Sequence, residues 1–150
     1  MTQIFVGADH RGFEQKQALV SLLTNSAKDF AVVDKGAYEY NEADDFNDPA
    51  IAVAKEVQNN PGSFGILLCG SAHGVCMQAN RFPGIRAING YNSHIAQLGR
   101  EHNDANVLCL SADYQNSADL AAAVQTFLTT AFLGEERYIR RNRRLDEEAR

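Results

Sequence analysis

A chain of 150 residues with 45% apolar composition can bury one substantial core and is short for two, so one domain over 1–150 is expected. A net charge of -5, with 19 acids against 14 bases, argues against a nucleic-acid partner. The start, Met1-Thr2-Gln3-Ile4, lacks the features of a secretory signal, and no apolar run reaches membrane-spanning length, so a cytoplasmic protein without a membrane partner is expected.

The three cysteines, Cys69, Cys76 and Cys109, form no C-x-x-C pair, which speaks against a disulfide framework and a zinc site. Cys76 and Cys109 fall in apolar patterns and read as core fillers. Charge is uneven along the chain. From Glu135 to Arg150 there are 6 arginines against 5 acids, whereas the preceding body is acidic.

Gln3 to Ala8 reads as a short strand, with Asp9 and His10 at its end. Gly12 to Asn25 carries a helical stripe of Phe13, Leu19, Leu22 and Leu23, and Phe30 to Asp34 is a second strand. An acidic loop, Tyr38 to Asp45, leads to Asp48-Pro49, a polar cap with proline at the first helical position. The helix that follows runs to about Gln58 and stops at Asn59-Asn60-Pro61-Gly62.

Phe64 to Cys69 is the third strand and ends in the small-residue loop Gly70-Ser71-Ala72-His73-Gly74, after which a helix resumes at Val75. Pro83-Gly84 turns into a fourth strand, Ile85 to Ile88, interrupted by Arg86. A helix spans Asn92 to about His102, and Val107 to Leu110 is the fifth strand. Ser117 is expected to cap a long helix through Phe132, and a charged helix covers 135–150. Strands alternating with helices imply an α/β fold with a five-stranded parallel sheet and helices on both faces, a three-layer α/β/α, Rossmann-like arrangement.

In such sheets ligands bind outside the carboxyl ends of the strands, which is where Cys69 lies. The helix that starts just downstream would lower its thiol pKa from about 8.5 toward neutrality. Spacing excludes two hydrolase templates. A phosphatase loop needs Arg where Val75 stands, and a G-x-S-x-G elbow at Ser71 needs Gly where Cys69 stands. A phospho-acceptor response domain fits poorly, since Cys69 and Ser111-Ala112 occupy its Asp and Lys positions.

His94 reads as a surface or packing side chain, and His73 as solvated or functional with equal weight. His10 and His102 are placed where elements end near the ligand edge. Asp9 and His10, at the end of the first strand, would lie beside Cys69. Arg137 and Arg141, four apart on one helix, would present two guanidinium groups to a phosphate.

Gly7-Ala8-Asp9-His10-Arg11-Gly12-Phe13, Asp34-Lys35-Gly36, the Gly65 to Ser71 run, Ala79 to Ala87, Arg100 to Val107 and Gly134 to Arg137 resemble, in order and over nearly the whole chain, the type B ribose-5-phosphate isomerases and the related galactose-6-phosphate isomerase subunits. The resemblance implies an aldose-ketose isomerase of a small phosphorylated sugar. It also implies a homodimer or homotetramer that shares its active sites between subunits, with no metal and no redox cofactor. Carried over residue by residue, Cys69 is the base, and Ser71 with the backbone from Gly70 to Gly74 holds the enediolate. His102 opens the sugar ring, Asp9, His10 and Asn103 bind hydroxyls, Arg137 and Arg141 take the phosphate, and Asp45 matches a loop acid.

Three positions depart from the family pattern. Ala72 replaces a common glycine, Tyr138 a frequent histidine, and Asp113 an arginine, an exchange expected to repel a phosphate. Ribose 5-phosphate is the first choice of substrate. Another sugar phosphate such as galactose 6-phosphate, a non-catalytic sugar-phosphate sensor, and a scaffold using its arginines on an acidic partner are the alternatives.

Overall fold

The computed structural model describes residues 1–148, so the last two residues of the expected charged C-terminal helix lie outside the described part. Strands and helices alternate as β1 (Thr2–Ala8), α1 (Phe13–Ser26), β2 (Phe30–Asp34), α2 (Asn47–Asn59), β3 (Phe64–Cys69), α3 (His73–Ala79), β4 (Ala87–Asn89), α4 (Ser93–Asn103), β5 (Val107–Ser111), α5 (Ser117–Thr129) and α6 (Glu136–Glu148). The strands pair in parallel in the order β2-β1-β3-β5-β4. β3 and β5 are unbroken small and apolar runs because helices cover both faces of the sheet at its centre. β2, at one edge, is half-buried throughout.

One apolar cluster joins the sheet to α1, α4 and α5, through residues such as Leu19, Ala96, Val124 and Phe127. The other joins the opposite face to α2 and α3 through Ala50, Val53, Val57, Val75 and Cys76. The three-layer α/β/α expectation is borne out. Gly65 permits the close approach of α2, since a Cβ there would come within 2.7 Å of Val53 Cγ1 and 3.0 Å of Val107 Cγ2. The connections leaving β1 and β3 turn to opposite faces, and strands so arranged open a crevice at their carboxyl ends.

Boundaries shift where side chains or turns intervene. α5 is capped by Asn116, not Ser117, because Asn116 Oδ1 accepts the Asp119 N-H at 2.8 Å. It ends at Thr129 instead of Phe132. The backbone is drawn off toward α4, with Arg100 Nε donating to Thr130 O at 3.2 Å and Leu133 N to Glu101 O at 3.1 Å. α2 starts at Asn47, so Pro49 is its third residue, still within the first turn where a missing N-H breaks no helical bond. β4 begins at Ala87 rather than Ile85, since Ile85 N is held by Phe82 O in a turn and Arg86 N by Asn106 Oδ1.

Two buried cations hold elements together. Lys16 is fully buried in α1, and its Nζ donates to Asp34 Oδ1 and Oδ2 at 2.8 Å each and to Ala37 O at 2.6 Å, which fixes the turn after β2. Arg100, 8% exposed, packs its guanidinium against Phe64 and Phe127 and donates to Asp104 Oδ1 at 2.8 Å and Ala105 O at 2.6 Å. It thereby ties the end of α4 to the start of β5. Lys16→Ala leaves Asp34 without its cation. Because Asp34 keeps some contact with solvent, the cost is expected near the low end for a broken buried pair, about 3 kcal/mol in urea denaturation, with an unchanged dependence on urea.

Candidate active site

At the end of β1, Asp9 is buried, and its Oδ1 accepts from the backbone N-H groups of Arg11 at 3.0 Å and Gly12 at 3.2 Å. That carboxylate shapes the turn into α1. Burial raises its pKa above the ordinary carboxylate value, although the Gly12 N-H and the neighbouring His10 oppose the shift. His10 meets Asp44 Oδ1 twice, through its backbone N at 3.0 Å and its Nδ1 at 2.7 Å. A carboxylate accepts here, so Nδ1 carries the hydrogen and Nε2 is left to meet a ligand.

The loop acid that touches His10 is therefore Asp44. Asp45, the residue named from the sequence, is exposed beside it, and the two help line a cavity of about 230 Å³ with Lys35 and Tyr38. Asp9, His10 and Asp44 bring one potential ligand atom each within 4.8 Å of one another, the one such group among the described residues. Asp9 Oδ1 and His10 Nδ1 are already committed to internal bonds, so the donor set suits hydroxyl recognition better than a metal ion.

Cys69 closes β3 with 5% exposure, in the same apolar cluster as Leu67, Ala72 and Val75. Cys76 and Cys109 are buried behind it, as expected for core fillers. Burial pushes the Cys109 thiol well up, and a hydrogen bond from it lowers that of Cys76.

Beyond Cys69 the loop is pinned to the end of β5. Ser111 Oγ donates to Gly70 O at 2.6 Å, and Asp113 N to Gly70 O at 3.1 Å. Ser71 is exposed, and its Oγ accepts the His73 N-H at 3.4 Å. The N-H groups of Ser71, Ala72, Gly74 and Val75 meet no acceptor among the described residues, as expected for the start of a helix. His73 lies at this mouth, with its Nδ1 3.4 Å from Asn89 Nδ2. Gly74 is required by packing, because a Cβ there would run into the Phe46 ring at 2.9 Å.

Two departures now have a physical account. Ala72 has φ 70°, the left-handed conformation in which an L side chain is strained and glycine is not. Asp113 accepts from Arg11 Nε at 2.8 Å and also from Arg11 Nη2, and this pair lies against Gly70. Its charge is matched within the chain, which offsets the repulsion expected of an acid there.

The other named residues form a second group. His102, in the last turn of α4, stacks on Tyr138 with centroids 4.6 Å apart, and its carbonyl accepts from Asn142 Nδ2 at 3.1 Å. Asn103 Nδ2 reaches Asn142 Oδ1 at 3.5 Å. Arg137 is held by Glu135 and Tyr138, while Arg141 is exposed on the same helix.

His102 does not lie at the ligand edge, as the sequence suggested. α4 starts at the carboxyl end of β4 and runs back for 11 residues, about 16 Å, to enter β5 at the opposite edge of the sheet. The chain thus carries Asp9, His10, Cys69 and the Gly70-Gly74 loop at one edge, and His102, Asn103, Arg137 and Arg141 toward the other.

Sequence reading missed Asp44, Arg11 and Asn142. Asn142 alone left a legible signal, as the single uncharged polar residue within Arg-Arg-Asn-Arg-Arg, and it is 6% exposed.

The profile of a family described as Ribose/Galactose Isomerase matches residues 4–147. The chain belongs to the ribose/galactose isomerase family. It is 40% identical over 131 residues to a probable ribose-5-phosphate isomerase B of Mycoplasma pneumoniae, covering 87% of this chain and 85% of that one. It is 35% identical over 139 residues to ribose-5-phosphate isomerase B of Mycolicibacterium paratuberculosis, covering 93% and 86%. Among solved structures, ribose-5-phosphate isomerase B of Mycoplasma genitalium with bound ribulose-5-phosphate superposes with a TM-score of 0.91 at 36% identity, covering 97% of this chain and 95% of that one. The Trypanosoma brucei type B enzyme gives 0.92 at 35% identity, covering 98% and 99%. No helix among the described residues is long and apolar enough to cross a membrane.

Ala72→Gly removes the left-handed strain and is expected to raise stability by about 0.5–1 kcal/mol, the relief being partly offset by the freer unfolded chain. Thermal or urea unfolding measures it. Asp9→Asn keeps an acceptor for the two backbone N-H groups but cannot ionise. Because the folded-state pKa of Asp9 is raised, the stability of the wild type is fully present below the ordinary carboxylate value and declines as pH rises through the raised one. Stability-pH curves should show that decline in the wild type and its absence in Asp9→Asn.

Proposed function

We propose that the protein interconverts ribose 5-phosphate and ribulose 5-phosphate, with Cys69 as base and each active site completed by a second copy of the chain. The observation that carries the proposal is the distribution of groups over the fold. A thiol and a set of free amide donors occupy one edge of the sheet, and an imidazole and two guanidinium groups face outward toward the other. Family membership and the ribulose-5-phosphate held by the Mycoplasma genitalium relative support the sugar-phosphate substrate.

Chemistry on this frame needs one base, one oxyanion site and a remote phosphate clamp. The His102 imidazole of one chain assists ring opening by moving a proton between the ring oxygen and the anomeric hydroxyl. The Cys69 thiolate of the other takes the proton from C2 of the open aldose, and the electron pair passes into a C1-C2 enediolate. The same proton, or one exchanged with solvent, is returned to C1 while the O2 hydroxyl proton passes to O1, giving the ketose. Ser71 and the amides from Gly70 to Gly74 receive the enediolate oxygen, with a loss of about 2.7–4 kcal/mol expected for each donor removed. Asp9, His10 through Nε2, and Asn103 bind hydroxyls, and Asp45 stands at the same rim. Arg137 and Arg141 bind the phosphate bidentately.

A homodimer is the smallest assembly that meets this requirement. Three unpaired thiols suit a reducing, cytosolic setting. Each step is proton transfer within one substrate, which calls for neither a metal nor a redox cofactor.

The purified enzyme should equilibrate ribose 5-phosphate with ribulose 5-phosphate faster than other aldose phosphates in a panel that includes galactose 6-phosphate. Cys69→Ala should lower kcat by at least about a thousandfold while leaving ribulose-5-phosphate binding, measured by calorimetry, within a fewfold of wild type. Retained turnover in Cys69→Ala removes the thiol from the mechanism. Binding without turnover by the wild type would indicate a sensor.

A further inference from the structure

The phenol ring of Tyr138 is shared by two of the groups assigned above. The His102 imidazole is stacked on it, with centroids 4.6 Å apart and planes 21° apart. Arg137 Cζ lies over the same ring, 4.7 Å from its centroid, and Arg137 Nη2 is 3.0 Å from the phenol oxygen, which accepts from it. Asn142, one turn farther along α6, donates to the carbonyl of His102. The imidazole is thus held to α6 through both its ring and its backbone.

Without Tyr138, the Arg137 side chain, 55% exposed, would keep one salt bridge, to Glu135, and His102 would lose its ring contact. Long exposed side chains sample many rotamers, and a flat ring that accepts an imidazole by stacking and a guanidinium by cation-π contact removes much of that freedom.

We infer that Tyr138 is a positioning residue that holds the ring-opening imidazole and the first phosphate-binding guanidinium as one rigid unit, so that the sugar ring and the phosphate are gripped at a fixed separation. The inference rests on the isomerase reading proposed above and extends it to a residue assigned no role there. The stack orients His102, and the phenol oxygen orients Arg137. These two functions are separable by substitution.

The test separates ring opening from enolisation. The aldose phosphate is mostly a closed ring, whereas ribulose 5-phosphate has its terminal oxygen esterified and stays open. Exchange of the C1 proton of ribulose 5-phosphate with deuterium oxide therefore requires Cys69 but no ring opening. Net turnover from ribose 5-phosphate requires both.

Tyr138→Leu is expected to lower kcat from the aldose by about tenfold or more, while deuterium exchange into the ketose at saturation stays within about threefold of wild type. Tyr138→Phe keeps the stack. It should hold kcat from the aldose near the wild-type value and raise the inhibition constant of inorganic phosphate severalfold. Retained exchange certifies that the variants are folded and dimerised. A parallel fall of turnover and exchange in Tyr138→Leu, an unchanged kcat in that variant, or a loss in Tyr138→Phe equal to that in Tyr138→Leu overturns the inference. A wild-type enzyme that neither turns over nor exchanges these sugars defeats the isomerase reading itself, a result distinct from variants that fail beside an active wild type.

Discussion

The path of α4 is the constraint on which the rest depends. A parallel sheet obliges every crossover helix to travel the full height of the domain, so a residue at the end of a helix stands at the opposite edge from a residue at the end of a strand. Cys69 ends β3 and His102 lies in the last turn of α4. They cannot both face one substrate from one chain unless the substrate spans the sheet. The proposed pairing of two chains would resolve this, with each copy offering its thiol edge to the other's α4-α6 corner. The outward-facing arginines of α6 and its exposed Ile139 and Leu145 belong to the same corner.

Both halves are built on fixed polar contacts. At the thiol edge, Asp9 holds the turn after β1, Asp44 sets the hydrogen on His10, and Gly70 O is pinned to the end of β5. The free amides of the following loop are therefore held in place before a ligand arrives, which is the condition for oxyanion stabilisation without reorganisation. The strained Ala72 lies within that loop, a local cost borne by the packing of α3 on α2. At the other corner, Arg100 between two phenylalanine rings and Arg86 bonded to the carbonyls of Asn103 and Asp104 hold the end of α4, and Arg86 also reaches Asp146 of α6.

Much of this was legible in the residues. Apolar runs and turn signals located the five strands to within two residues at most ends, because buried parallel strands must be nearly continuous in hydrophobic character. The small-residue loop after Cys69 was legible for the same kind of reason, and the structure places it between β3 and α3. Ends set by single side-chain bonds were not legible, as with Asn116 in place of Ser117. Neither was the choice between Asp44 and Asp45, adjacent and chemically identical, since loop geometry alone brings one to His10. The burial of Lys16 was not legible either, since its partner Asp34 is 18 residues away in the chain. The side of the sheet on which His102 lies follows from topology, which periodicity does not report.

A mixing experiment tests the shared site most directly. Cys69→Ala and His102→Ala proteins, each inactive alone, are combined, dissociated and allowed to reassociate, and isomerase turnover is measured per chain. Random pairing makes half of the dimers mixed, and each mixed dimer has one site with both native groups, so recovery of about a quarter of wild-type activity is predicted. A mixture that exchanges subunits and stays as inactive as its components would contradict the account, because the thiol and the imidazole would then have to act from a single chain.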